Sequence, residues 1–338
     1  MTVRRQLEII SRTKGNTIPK TSIQAFLSRL IDYAGLFPPA SLPLETSIRN
    51  YITYQTCKDS WMLGRFIIPA VQLDGLASYV SLFSNDQPLR ISAIGRRSDN
   101  AVTCLKGLYD DLEKIISFRH NHRDAIKIDV FEMPLPPVSP VRNLLETIAV
   151  ETAKCDLQTF CEATVPVDAD WEDHMIETLD AIAVHNRDSK TILGFKLRTG
   201  GITANAFPTP EQVAAVLIGC RDRNIALKFT AGLHHPIRMY RDEVNAQMHG
   251  FLNVFTAGLL ANVHNLDVWK TAEILADESP ASFSFTDQGL AWRNLTVPVS
   301  EIMRLRESAL CSYGSCSFDE PRDDLRMLEI YNTEENLK

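Results

Sequence analysis

From about residue 64 to residue 232, short apolar runs alternate with segments whose apolar positions recur every three to four residues. The short runs are GRFIIP (64–69), LRISAIG (89–95), AIKIDVFE (125–132), LQTFCEAT (157–164), GFKLR (194–198) and ALKFTAG (226–232). Their length, β-branched content and Gly or Pro boundaries predict strands. The segments near 72–84, 99–119, 140–155, 170–186 and 209–223 carry helical spacing. Strict β/α alternation implies a parallel sheet covered by helices. Six such repeats, with no G-x-G-x-x-G after the first strand, favour a (β/α)8 (TIM) barrel over an open sheet. An irregular or incomplete barrel is the alternative, because two strands are missing from the pattern. One candidate is Leu30 to Leu36, where helix periodicity beginning at residue 21 competes. The other is Phe251 to Thr256, which reads equally as a buried helix.

The clearest unit is residues 192–236. In the strand Ile192 to Leu197 the period of two sets Leu193, Phe195 and Leu197 against Gly194, Lys196 and Arg198. Thr209, Pro210 and Gln212 form a capping-box start for the helix that follows, and Asn224 suits its left-handed end. The next strand, Ile225 to Phe229, sets Lys228 opposite its apolar face. A right-handed crossover would bring Lys196 and Lys228 close together. A lysine in such an interior is a candidate base or carbonyl nucleophile, and a neighbouring cation would lower its pKa.

Flanking this core, residues 1–20 are expected to form an N-terminal arm and residues 21–264 the barrel domain. Residues 265–338 are expected to be a C-terminal appendage packed on the barrel, with helices and a β-hairpin in ASFSFTDQGLAWRN.

Composition narrows the partners. The chain has 338 residues, 45% of them hydrophobic, and a formal net charge of −7. That balance argues against nucleic acid or an anionic membrane as a partner and leaves a small-molecule substrate. A homo-oligomer is left open. Seven cysteines without a C-x-x-C pair suggest neither a disulfide framework nor a thiolate zinc site. With no signal-peptide core and no membrane-length apolar run, the expectation is a cytoplasmic protein.

In a barrel of this class the chemistry sits at the C-terminal strand ends. The polar residues expected there are Arg65, Arg96, Asp129, Glu132, Glu162, Lys196, Arg198 and Lys228, with His234 and His235 beyond. Glu162 shares a strand face with Gln158, Phe160 and Thr164, whereas Glu132 has the parity of Ile126, Ile128 and Val130, which makes Asp129 its rival. These carboxylates are candidate proton relays, or simply ion-pair partners of Lys127 or Arg198. Gly200 and Gly201 could bring backbone N–H groups to a phosphate or carboxylate beside Arg198, or just form a turn. Arg65 and Arg96 could clamp an anion or form ordinary ion pairs. His234 and His235, in a loop beyond a strand end, could contact substrate; as metal ligands they would need an acidic or third histidine partner, and the spacing to His249 and Asn253 is no recognised metal signature. In GSCSFDEP (314–321), Cys316 would need a base to act as a nucleophile, and Asp319 and Glu320 read as the opening of a helix.

The pair FKLRTGG and LKFTAGL, separated by a capped helix, is similar to the lysine-bearing strands of class I deoxyribose-phosphate-type aldolases. The resemblance covers about residues 192–233. It implies that Lys196 is the Schiff-base residue, that Lys228 is its cationic neighbour, and that no cofactor is needed. Leu197, Arg198 and Thr199 stand where that family has a small, hydroxyl-rich segment, and LHHP stands where it has a glycine-rich phosphate turn. KLRTGG also resembles the lysine strand of the enolase superfamily. That likeness implies a divalent metal ion held by Asp129 or Glu132 with Glu162. The leading expectation is an aldolase-type lyase acting on a small carbonyl or carboxylate substrate. The alternatives are a metal-dependent barrel enzyme and a non-catalytic barrel binding a small anion or a partner.

Overall fold

The eight strands that the pattern asks for are all present, and they close on themselves. The computed structural model describes residues 21–138 and 140–331, so the expected arm at 1–20 lies outside the described residues. After helix α1 (Thr21–Leu27) come strand β1 (Ile31–Tyr33) and helix α2 (Leu44–Thr56). Next are β2 (Leu63–Pro69), a 3-10 helical segment (Ala70–Leu82), β3 (Leu89–Ile94), α3 (Ala101–His122), β4 (Ile126–Pro134) and α4 (Arg142–Lys154). They are followed by β5 (Gln158–Glu162), α5 (Trp171–Asp188), β6 (Leu193–Arg198), α6 (Pro210–Asp222) and β7 (Leu227–Thr230). These strands pair in parallel, each with its neighbour in sequence.

A long excursion separates β7 from the last barrel strand. It holds a two-stranded hairpin, β8 (Met239–Arg241) with β9 (Ala246–Met248), and the helices α7 (Phe251–His264) and α8 (Val268–Ala276). An antiparallel sheet follows, made of β10 (Phe283–Phe285), β11 (Gly289–Trp292) and β12 (Leu295–Pro298), and then helix α9 (Val299–Ser308). The chain finally returns as β13 (Leu310–Ser315), which pairs in parallel with both β7 and β1 and closes the barrel, before helix α10 (Asp319–Met327).

One open alternative is resolved here and one expectation changes. Phe251 to Thr256 is helix, not strand. Residues Phe251 to Ala261 are all buried, and a helix that is apolar all round is one packed on every side. The region from residue 265 is not simply an appendage either, since Leu310–Ser315 supplies the eighth strand. β13 is hard to recognise as a strand because Ser312, Gly314 and Cys316 alternate with Cys311, Tyr313 and Ser315, giving no apolar face. The expected hairpin at 283–292 forms, with β12 added as a third strand.

Local signals place the lysine strands as expected. Thr209 accepts from the Gln212 N–H while the Gln212 side chain accepts from the Thr209 N–H, and Asn224 adopts φ 52° just past the helix. Leu193, Phe195 and Leu197 enter the apolar layer between barrel and helices, so Lys196 and Arg198 face the barrel axis. Among the described residues, no helix is long and apolar enough to cross a membrane. All seven cysteines are free.

Candidate active site

Register brings the two lysines level. The Cα of Lys196 pairs with that of Lys228 on β7 and with that of Glu162 on β5. Lys196 Nζ then lies 2.7 Å from Glu132 Oε2 and 2.7 Å from Glu162 Oε2, with only 3% of its side chain exposed. Arg198 caps the outer side of Glu162 at 3.1 Å. Deeper in the barrel, Lys228 donates to Asp32 of β1 and, at 3.0 Å, to Ser312 of β13, and lies 3.3 Å from Glu132 Oε1. Ser312 in turn donates to Asp32 at 2.7 Å, and Ser92 of β3 donates to Glu132 at 2.6 Å. The Asp32 carboxylate also accepts the Arg65 backbone N–H at 2.5 Å. It has room only because residue 64 is glycine, since a Cβ there would sit 2.0 Å from Asp32 Oδ1.

The result is one continuous chain of charge across the interior: Asp32, Lys228, Glu132, Lys196, Glu162, Arg198. Three carboxylates face three cations, as burial demands. Burial alone would push the Lys196 ammonium down, but Glu132 and Glu162 outweigh it and hold the group above its ordinary value. Burial likewise opposes the charge on Glu132, yet Lys196 and Lys228 bring its carboxyl down to about 2. Glu162 is also lowered, against burial, by Lys196 and Arg198.

Above this network the C-terminal strand ends open into a cavity of about 490 Å³. Lys196, Glu162 and Arg198 line it from β5 and β6, Arg97, Gly200, Gly201 and Thr203 from the loops after β3 and β6, and His234, Gly314 and Cys316 from the loop after β7 and the end of β13. A second cavity of about 360 Å³ shares Arg97, Lys196 and Arg198 with it. Gly200 and Gly232, from adjoining strand-to-helix loops, meet backbone to backbone. A Cβ on Gly232 would lie 2.9 Å from the Gly200 Cα, and its φ of +74° also favours glycine.

No protein-family model matches this chain, and no curated protein matches it. Its chemistry is read from the site itself.

The expected site residues divide cleanly. Lys196, Lys228, Glu132 and Glu162 form the network. Arg198, Gly200, Gly201 and His234 join Lys196 and Glu162 around the cavity. Asp129 and Arg65 do not join them. Both sit toward the N-terminal strand ends, where Asp129 accepts from Arg65 Nε at 2.6 Å and lies 3.6 Å from Arg90 and 3.6 Å from Lys127. The cause is a register shift in β4. Ile128 pairs with Ile91 but Val130 with Ser92, so Asp129 is the extra residue and the parity beyond it reverses. Glu132 is thereby turned to the axis, against simple alternation. Arg96 points away to Asp111 at 2.8 Å, while its neighbour Arg97 lines the cavity. His235 turns its Nδ1 to Asp324 at 2.5 Å.

His249 is structural. Burial, with Arg238 beside it, lowers it to about 4, and its neutral ring donates to the Pro208 carbonyl at 2.7 Å. Asn253 is taken up with backbone bonds to Arg238, Ile274 and Asp277.

The metal-holding arrangement also fails on its donors. Asp129 is remote from Glu162, Lys196 stands between Glu132 and Glu162, and among the described residues no three His, Cys, Asp or Glu groups could hold an ion.

Asp32, Ser92 and Ser312 are network members that the sequence reading did not single out. For Asp32 the signal was the competing strand at 30–36, whose parity puts Asp32 opposite Ile31 and Tyr33.

Asp129→Asn is expected to cost about 1–2 kcal/mol in urea unfolding, the size of a partly exposed charged hydrogen bond, because Arg65 loses its carboxylate. It should leave the chemistry at Lys196 within twofold of wild type.

Proposed function

We propose that the barrel is a lyase of class I aldolase type, acting on a small anionic carbonyl compound through a Schiff base on Lys196. The observation that carries this reading is the position of Lys196, which lines the mouth cavity with its Nζ held 2.7 Å from two carboxylates. The ammonium and the protonated imine carry the same charge. When Nζ attacks a carbonyl carbon, the C–N bond forms and the carbonyl oxygen leaves as water with two of the three ammonium protons. The remaining iminium is again a cation between Glu132 and Glu162. The buried charge balance is therefore unchanged from start to product, and the carboxylates that stabilise the resting lysine stabilise the intermediate as well. Both are within reach to carry the transferred protons. Arg97, Arg198 and His234 around the cavity supply the charge for an anionic substrate.

Trapping with cyanoborohydride tests this, with glyoxylate, pyruvate and a phosphorylated aldehyde as probes and peptide mass spectrometry as the readout. The expected result is a reduced adduct on Lys196 and not on Lys228. If none of the carbonyl probes leaves mass on Lys196, the reading is lost.

The pH dependence follows from the raised pKa. Free amine is scarce at pH 7, and its fraction rises about tenfold per pH unit below the lysine pKa. The initial trapping rate should therefore climb steeply from pH 6 to pH 9. A rate that levels off near pH 7 would contradict an ammonium held by two carboxylates.

A further inference from the structure

Cys316 follows β13 by one residue and continues the inward-facing positions of Ser312 and Gly314, so its side chain reaches the wall of the mouth cavity. Its Sγ lies 3.6 Å from His234 Nδ1. The same imidazole nitrogen lies 3.5 Å from Glu320 Oε2, at the start of α10. Thiol, imidazole and carboxylate come from three separate parts of the chain: the end of β13, the loop after β7 and the first turn of α10. Both His234 and Cys316 line the same cavity as Lys196 and Arg198. Burial works against a charged His234, but its bonds to Cys316 and Glu320 prevail and push it up to about 9. Burial holds the thiols of Cys57 and Cys311 above the ordinary cysteine range.

We propose that Cys316 is a second nucleophile of the mouth cavity, working with His234 as its acid and base, and that it takes a small anionic aldehyde. His234 Nδ1 takes the proton of the thiol as the sulfur attacks. The S–C bond forms, the carbonyl π pair passes to oxygen, and the imidazolium proton follows it, leaving a hemithioacetal and a neutral imidazole. Reversal of the same steps releases the aldehyde. An aldehyde carbon is open enough for this addition, which needs neither a leaving group nor an oxidant. The anionic character of the ligand rests on the lining: Arg97, Lys196, Arg198 and His234 against the single carboxylate of Glu162. The inference does not depend on an imine forming at Lys196.

Alkylation of the full chain at pH 7 with iodoacetamide, read by peptide mass spectrometry, tests it. Cys316 should be labelled at least tenfold faster than the half-buried Cys57 or Cys311. His234→Gln should slow that labelling about tenfold or more, and Glu320→Gln severalfold, with circular dichroism checking that both variants are folded. Glyoxylate labelled with 13C at its aldehyde carbon should protect Cys316 and give a bound hemithioacetal resonance that is absent in Cys316→Ser, which separates thiol capture from an imine on the lysine, whose carbon is trigonal. Labelling of Cys316 no faster than that of Cys57, or rates unmoved by both substitutions, would overturn the nucleophile. Absence of that resonance in the wild type, or its survival in Cys316→Ser, would overturn thiol capture. Equal protection by acetaldehyde would overturn the anionic ligand.

Discussion

Replacing Lys196 by arginine should abolish the reducible adduct altogether and lower any carbonyl-dependent turnover by at least about 10³-fold, the scale on which removal of a nucleophile is felt. Arginine is the informative substitution because the site is a charge network as well as a candidate nucleophile. Methionine at this position would leave Glu132 and Glu162 facing each other without their shared cation, and loss of activity would then be inseparable from loss of fold. A guanidinium keeps the positive charge but cannot lose its proton to become an amine at working pH. Its extra bulk in a 3% exposed position costs about 1–3 kcal/mol by overpacking, which urea unfolding will register separately. A folded Lys196→Arg protein that still gives full turnover would show that the lysine acts only through its charge. In that event the cavity would act on its anion without an imine at Lys196.

How far the sequence foretold this site depended on whether a position obeyed simple periodicity. Lys196 and Lys228 did, on strands whose other faces are uniformly apolar, and both were placed on the barrel interior by alternation alone. Glu132 did not, because β4 contains an extra residue at Asp129 and everything after it changes face. A β-bulge has no compositional mark of its own, so alternation left Asp129 and Glu132 as rivals.

The eighth strand failed for a related reason. Positions that face a polar barrel interior need not be apolar, and in LCSYGS the inward residues are Ser312 and Gly314, which resemble a turn. Asp32 was overlooked because β1 spans only Ile31–Tyr33 and follows directly on a helical pattern. The contact between Cys316 and His234 joins residues 82 positions apart and depends on barrel closure, which no local pattern encodes.

Removal of Glu132 should be the most destabilising single change in the interior. Its two oxygens serve both lysines, Oε2 with Lys196 and Oε1 with Lys228. Glu132→Leu leaves the buried Lys196 and Lys228 with only Glu162 and Asp32, the former shared with Arg198, and breaking a buried pair in this way costs about 3–5 kcal/mol. Part of that cost is the surplus charge, not the lost contact, and a second substitution separates the two. Lys228→Met in the same chain restores an equal count. Asp32 still has the Arg65 N–H and the Ser312 hydroxyl, so it is not orphaned. The double variant should therefore be more stable than the sum of the single changes by about 1–3 kcal/mol in a double-mutant cycle. Additive losses would mean that the lysines are compensated independently.

The pH dependence of stability gives the same network a second signature. Glu132 titrates at about 2 in the folded chain against an ordinary 4.5, so the unfolded chain takes up its proton first as the pH falls. Its contribution is complete above about 4.5 and is lost as the pH drops toward about 2. Glu162, also lowered, adds to the same acid limb. Lys196 is raised, so its share is present at neutral pH and is lost only as the solution becomes alkaline enough to deprotonate the folded ammonium. Urea midpoints measured from pH 2 to pH 7 should thus fall steeply on the acid side for the wild type and more shallowly for Glu132→Leu. The two curves should draw together at the lowest pH, where the wild-type carboxylate has been neutralised too.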